Sequence, residues 1–205
     1  MSTRQRPQRA HLRTHIAQAA AKLIIEGGIQ DYAVAKRKAA QRLQATNSSQ
    51  LPGNDEIEQE ISAYQRLFRS SHHLLRLEEL RWTALRAMRF LGQFCPHLVG
   101  PVLRGSADKY SHVSLHLFAE PSEEVALFLL ERRIPHESGE RRLRISTDSF
   151  KVYPTYTFIA EDVSVELIVL PYRARKHAPL CPIDGKPMRR ATAAAVESLV
   201  AHNRE

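Results

Sequence analysis

The apolar positions of this chain follow two different periods. From about residue 9 to residue 91 they recur every three or four positions, the spacing of one face of an α-helix. Leu12, Ile16, Ala19 and Leu23 form a first stripe, which Gly27-Gly28 ends. Tyr32, Ala35, Ala39 and Leu43 form a second. Residues 47–54, with Ser48, Ser49, Pro52 and Gly53, have the content of a loop. Asp55 and Glu58 have the spacing of a helix-capping pair, and Ile57, Ile61, Tyr64 and Phe68 predict a third helix behind them. Leu77, Leu80, Ala84, Met88 and Leu91 predict a fourth, the longest. Residues 1–8 are polar and predict no packed element.

After Pro96 the period shortens to two. His97–Leu103 reads as a buried strand, broken or bulged at Gly100-Pro101. Val113, Leu115 and Leu117 alternate with Ser114, His116 and Phe118, the pattern of a strand. Pro121 with Glu123 and Glu124 opens a helix whose buried part is Val125–Leu130. Arg141–Ile145, Val152–Ile159 and Val163–Leu170 are further strands, with Glu161-Asp162 as the turn between the last two. A final helix covers about Ala191–Ala201. The order predicts an α+β protein: a helical N-terminal region over 1–70, then a small mixed β-sheet with flanking helices over 71–205.

The chain has 205 residues, 43% of them apolar, which is enough for a sizeable core. Its formal net charge is +8. Residues 1–42 hold nine bases, Arg4, Arg6, Arg9, Arg13, Lys22, Lys36, Arg37, Lys38 and Arg42, against Glu26 and Asp31. Seven of the eight net charges therefore belong to that segment. Arg9, Arg13, Lys36, Arg37, Lys38 and Arg42 could converge on the phosphates of RNA or DNA, as on any basic helical hairpin. Only Tyr32 offers an aromatic face there, so a stacking surface for single strands is not expected.

No apolar run approaches the roughly 18 residues that span a bilayer, so no membrane partner is expected. Cys95 and Cys181 form no metal-knuckle or disulfide pattern, and a cytoplasmic setting is the expectation. Cys95 precedes a proline and reads as a buried structural thiol. There is no G-x-S-x-G elbow. Gly185-Lys186-Pro187 lacks the upstream glycine and the hydroxyl of a P-loop.

One stretch has the shape of a chemical motif. A strand ends in Leu103-Arg104-Gly105-Ser106, and Ser111-His112-Val113-Ser114-Leu115 opens the next. Across about residues 75–170 this resembles the DNA polymerase beta-type nucleotidyltransferase superfamily. In that family a Gly-Ser turn holds nucleotide phosphates, the next strand carries Asp-x-Asp, and a later strand supplies a third carboxylate. The resemblance makes Gly105 and Ser106 the phosphate-binding turn and Glu166 the third carboxylate. Two carboxylates two residues apart on a strand lie about 6.6 Å apart on one face. Such a pair holds the two divalent cations that clamp a phosphoryl transfer.

Here the Asp-x-Asp positions are His112 and Ser114, neither an anionic oxygen ligand. The expectation is therefore a degenerate transferase, a pseudoenzyme that binds a nucleotide or phosphorylated ligand without two-metal catalysis. Its remnant catalytic candidates are Glu166, His112 and Ser114. No metal or other cofactor is expected; magnesium would enter only with a substitute carboxylate, for which Asp108 is the candidate. His112 and His116 share a strand face but lie about 13 Å apart, too far to chelate one ion. The alternative expectation is a non-enzymatic nucleic-acid-binding protein that works through the basic N-terminal helices.

Overall fold

The computed structural model describes residues 5–29, 31–45, 51–67 and 71–201. The chain divides into two compact units, 1–70 with 108–110, and 71–107 with 111–205. The expected positions Phe68 and 47–50 lie outside the described residues.

The first unit contains α1 (Gln5–Ile25), α2 (Tyr32–Arg42) and α3 (Asn54–Leu67). α1 begins at Gln5, within a segment whose polarity predicts no element. The helices close on Ile16, Ala17, Ala20 and Ala21 of α1, Ala35, Ala39 and Ala40 of α2, and Ile57 and Ile61 of α3. So many alanines let the backbones approach closely. Asp31 caps α2, its Oδ1 accepting from the amides of Ala33 and Val34 at 2.6 and 3.1 Å. The cap of α3 falls two residues before the predicted one: Glu56 reaches back to the Gly53 amide at 2.5 Å. Glu58 instead accepts the Tyr32 hydroxyl at 2.5 Å.

The second unit is built from α4 (Ser71–Phe90), β1 (His97–Val99), α5 (Gly100–Arg104), β2 (Val113–Phe118), α6 (Glu123–Glu131), β3 (Glu137–Arg144), β4 (Phe150–Ala160), β5 (Val163–Leu170) and α7 (Ala193–Ala201). The strands form one mixed sheet in the order β1-β2-β5-β4-β3. β2 and β5 run parallel, and the other neighbours are antiparallel. The α+β class expected from the sequence is therefore the observed one. Ala191 extends the sheet beside β1 through two hydrogen bonds with Leu98, 2.8 and 3.0 Å long.

The predicted strand over His97–Leu103 stops at Val99. Pro101 has no N–H for a ladder and sits in the first turn of α5, where proline is tolerated, and Gly100 precedes it at φ +77°. β3 begins four residues before its predicted start. β5 spans the predicted residues, and Glu161 and Asp162 both take positive φ, 50° and 64°, in a two-residue hairpin turn.

Alternation sorts the sheet into two faces. Val113, Leu115 and Leu117 of β2 join Val165, Leu167 and Val169 of β5 in the main core, under α4, α6 and α7. Ser114, His116 and Phe118 point the other way, as do Glu166, Ile168 and Leu170. Part of that second face is apolar, with Phe118, Leu143, Tyr153, Ile168, Leu170 and Ala174 packed together. The rest of it is mostly polar, with Ile159 exposed opposite Ser164.

Candidate functional site

The polar part centres on Glu166. It stands opposite Ser114 across the parallel β2–β5 pair. Its side chain is 13% exposed. Arg141 Nη2 donates to both carboxylate oxygens, at 2.7 and 2.8 Å, and Nε lies 3.2 Å from one of them. His112 Nε2 stands 3.4 Å from the other oxygen, and Ser114 Oγ donates to it at 3.5 Å. Burial works to raise the Glu166 carboxyl, but His112 and Arg141 overcome it and hold the group down at about 2. The carboxylate is therefore ionised at any physiological pH.

Arg141 reaches this place across β4. On β3 it pairs with Tyr153 of β4, while Thr157 of β4 pairs with Glu166 of β5. Gly139 lies between, opposite Thr155, where a Cβ would stand 3.1 Å from Thr155 Oγ1. Among the described residues, Nη1 of Arg141 has no hydrogen-bond partner, and the side chain is 44% exposed.

The three remnant positions named from the sequence, His112, Ser114 and Glu166, are thus brought together on one face. The expected phosphate turn is built differently. Gly105, at φ +84°, caps the C-terminus of α5. Its amide and that of Ser106 both donate to the Pro101 carbonyl, at 2.9 and 3.1 Å. Neither amide is offered to a phosphate, and a helix C-terminus is the wrong pole for an anion. The turn that faces β2 is Gly100, whose missing Cβ would lie 4.0 Å from Ser114 Cβ and Oγ.

The residues do not fit a pair of magnesium ions. Glu166 is the single carboxylate of the cluster, and its oxygens are already engaged. Asp108 accepts the Tyr110 amide at 2.9 Å and belongs to the first unit. Among the described residues, no group of three His, Cys, Asp or Glu side chains could hold a metal ion.

Two residues along the sheet from Glu166, toward the apolar part of the face, lies a partly buried pair that sequence spacing does not reveal. His116 is fully buried, and its Nδ1 accepts from Arg190 Nε at 3.1 Å. Arg190 Nη1 donates to the Ala174 carbonyl at 2.7 Å, and the guanidinium lies over the Phe118 ring. Burial, then Arg190 and His97, push His116 down to about 3, with Glu166 opposing.

The basic positions of the first unit are partly spent within it. Arg13 Nε and Nη2 clasp Glu56, with the shortest separation at 2.5 Å. Lys36 is half-buried, and that burial lowers its ammonium against the pull of Asp55 and Glu56. Arg37, Lys38 and Arg42 are exposed on α2, and Arg9 lies on α1.

Among the described residues, no helix is long and apolar enough to cross a membrane. No family model, curated protein or solved structure matches the chain.

Proposed function

We propose that this chain is a nucleotidyltransferase-like protein that has given up two-metal catalysis and binds a phosphorylated ligand, a nucleotide foremost, directly through side chains. The observation that carries the reading is the guanidinium of Arg141 on Glu166. A family site of this kind would gather three carboxylates and neutralise them with cations. Here the cluster holds one carboxylate, a covalently tethered cation and an imidazole, so its net charge is zero or positive. A phosphate can approach such a site without a metal ion. Arg141 Nη1 is a donor with no partner among the described residues, and Ser114 and His112 stand beside the same carboxylate. An arginine that already grips one anion with one edge can present its other N–H groups to a second. The expected amides of Gly105 and Ser106 take no part.

The test is calorimetry with nucleoside triphosphates, with and without magnesium, on wild type and Arg141→Gln. The reading expects binding that survives chelation of magnesium and is lost in the variant. Binding in neither condition removes it.

A second reading rests on a separate observation, the exposed trio Arg37, Lys38 and Arg42 on one short helix. These are the cations left for a nucleic-acid backbone. Binding of a structured RNA through them falls steeply with salt, and a flat salt dependence rejects this reading.

A further inference from the structure

α6 turns a differently built surface outward. Val125, Phe128 and Leu129 are buried in the main core. Leu127 and Leu130 point away from it and are 57% and 62% exposed. Glu124, Leu127, Phe128 and Glu131 fall at i, i+3, i+4 and i+7, so they share one face of the helix. That face is one wall of a cleft of about 420 Å3, whose other walls include Phe94 and Tyr172. The floor is aromatic: Phe94 meets Phe128 edge to face with ring centres 5.4 Å apart, and Phe90 meets it at 5.1 Å. Tyr172 is half exposed. Arg132 lies over Phe128, 5.1 Å from its ring centre. The carboxylates lining the cleft are Glu124 and Glu131, two turns apart, about 10 Å along the axis.

An apolar floor between two carboxylates stands out on a chain of net charge +8. An exposed Leu127 among the Phe94, Phe128 and Tyr172 rings is the composition of an interface centre rather than of a solvated helix. The carboxylates at the two ends select for sign and for spacing. They repel nucleic acid and anionic headgroups alike. We infer that this cleft docks a helical segment of a partner protein, with an apolar pair flanked by Lys or Arg seven residues apart. The apolar pair would fill the space between Phe94, Phe128 and Tyr172, and the two cations would meet Glu124 and Glu131, as in other helix-in-groove complexes. This inference is independent of the phosphate reading.

The test uses the full chain and a fluorescein-labelled, 14-residue Ala/Gln helical peptide carrying Leu-Leu between two lysines seven apart. A twin peptide carries glutamates in their place. Fluorescence polarisation should show saturable binding of the lysine peptide and binding at least about tenfold weaker for its twin. Glu124→Lys with Glu131→Lys should invert that preference, and Leu127→Ser should weaken both. Absence of saturable binding, or a preference untouched by the charge reversal, overturns the inference. Self-association by sedimentation that Leu127→Ser abolishes also overturns it, by assigning the cleft to a second copy of the chain.

Discussion

Arg141 and Glu166 lie on strands separated by β4, and yet Nη2 of the arginine meets both oxygens of the glutamate, at 2.7 and 2.8 Å. The carboxylate is 13% exposed and its partner 44%, so the pair lies between a surface ion pair and a buried one. A double-mutant cycle with Arg141→Met and Glu166→Gln should return a coupling energy of about 1–2 kcal/mol by urea unfolding. Arg141→Met alone is expected to be the worse single change, because it leaves an ionised carboxylate with only His112 and Ser114. A coupling near zero would make the pair incidental.

Acid should weaken the fold in two stages. Native His116 stays neutral down to about 3, whereas a histidine of the unfolded chain takes a proton near 6.5. Unfolding therefore binds a proton across that window, and stability falls as the pH drops through it. Glu166, held at about 2, adds a second loss below the ordinary glutamate value near 4.5. Between pH 6.5 and 4.5 the histidine acts without it. Urea midpoints of wild type should fall between pH 7 and pH 5 more steeply than those of His116→Gln, which still offers Arg190 an acceptor. Parallel profiles would contradict the assignment.

The basic residues of the first unit should separate into two classes. Arg13→Gln breaks the clasp on Glu56 and should lower stability by about 1 kcal/mol. It should leave the salt dependence of RNA binding unchanged. Arg37→Gln, Lys38→Gln and Arg42→Gln together should leave stability nearly unchanged. They should flatten the salt dependence by up to about one unit of slope for each phosphate no longer neutralised. A filter-binding series across ionic strength reads both.

How far the sequence speaks depends on whether the determining interaction is local. The alternation of Val113, Leu115 and Leu117 against Ser114 and His116 marks β2 and its two faces, because period two is written in adjacent residues. The same holds for β5 and the Glu161-Asp162 turn. α5 is obscured because Gly100-Pro101 suits a strand bulge as well as a helix start, and the choice depends on the packing of Gly100 against Ser114. Gly105-Ser106 has the residue types of a phosphate turn, but the Pro101 carbonyl takes both amides. His112, Ser114 and Glu166 are grouped in the sequence by the resemblance alone; the parallel β2–β5 register is what brings them to one face. Arg141 is not: its place depends on the β3–β4 and β4–β5 registers taken together. Arg190 likewise reaches His116 from 74 residues away.

If β2 and β5 present the geometry of a metal site, adding acids beside Glu166 should create one. His112→Asp with Ser114→Asp and Arg141→Ala places three carboxylates around the Glu166 position. That variant is expected to gain saturable Mn2+ binding by calorimetry, provided its circular dichroism and urea transition remain those of a folded protein. A folded variant that binds no Mn2+ would show that β2 and β5 do not hold cation-binding geometry.

Under the proposed function, the Arg141 guanidinium neutralises Glu166 without a metal ion. The most direct measurement of this is an electron paramagnetic resonance titration of the wild-type chain with Mn2+, run beside Glu166→Gln. The free-Mn2+ signal should be the same in the presence of either protein, because Arg141 already engages both oxygens of the carboxylate. Saturable loss of that signal with wild type, abolished in Glu166→Gln, would contradict it.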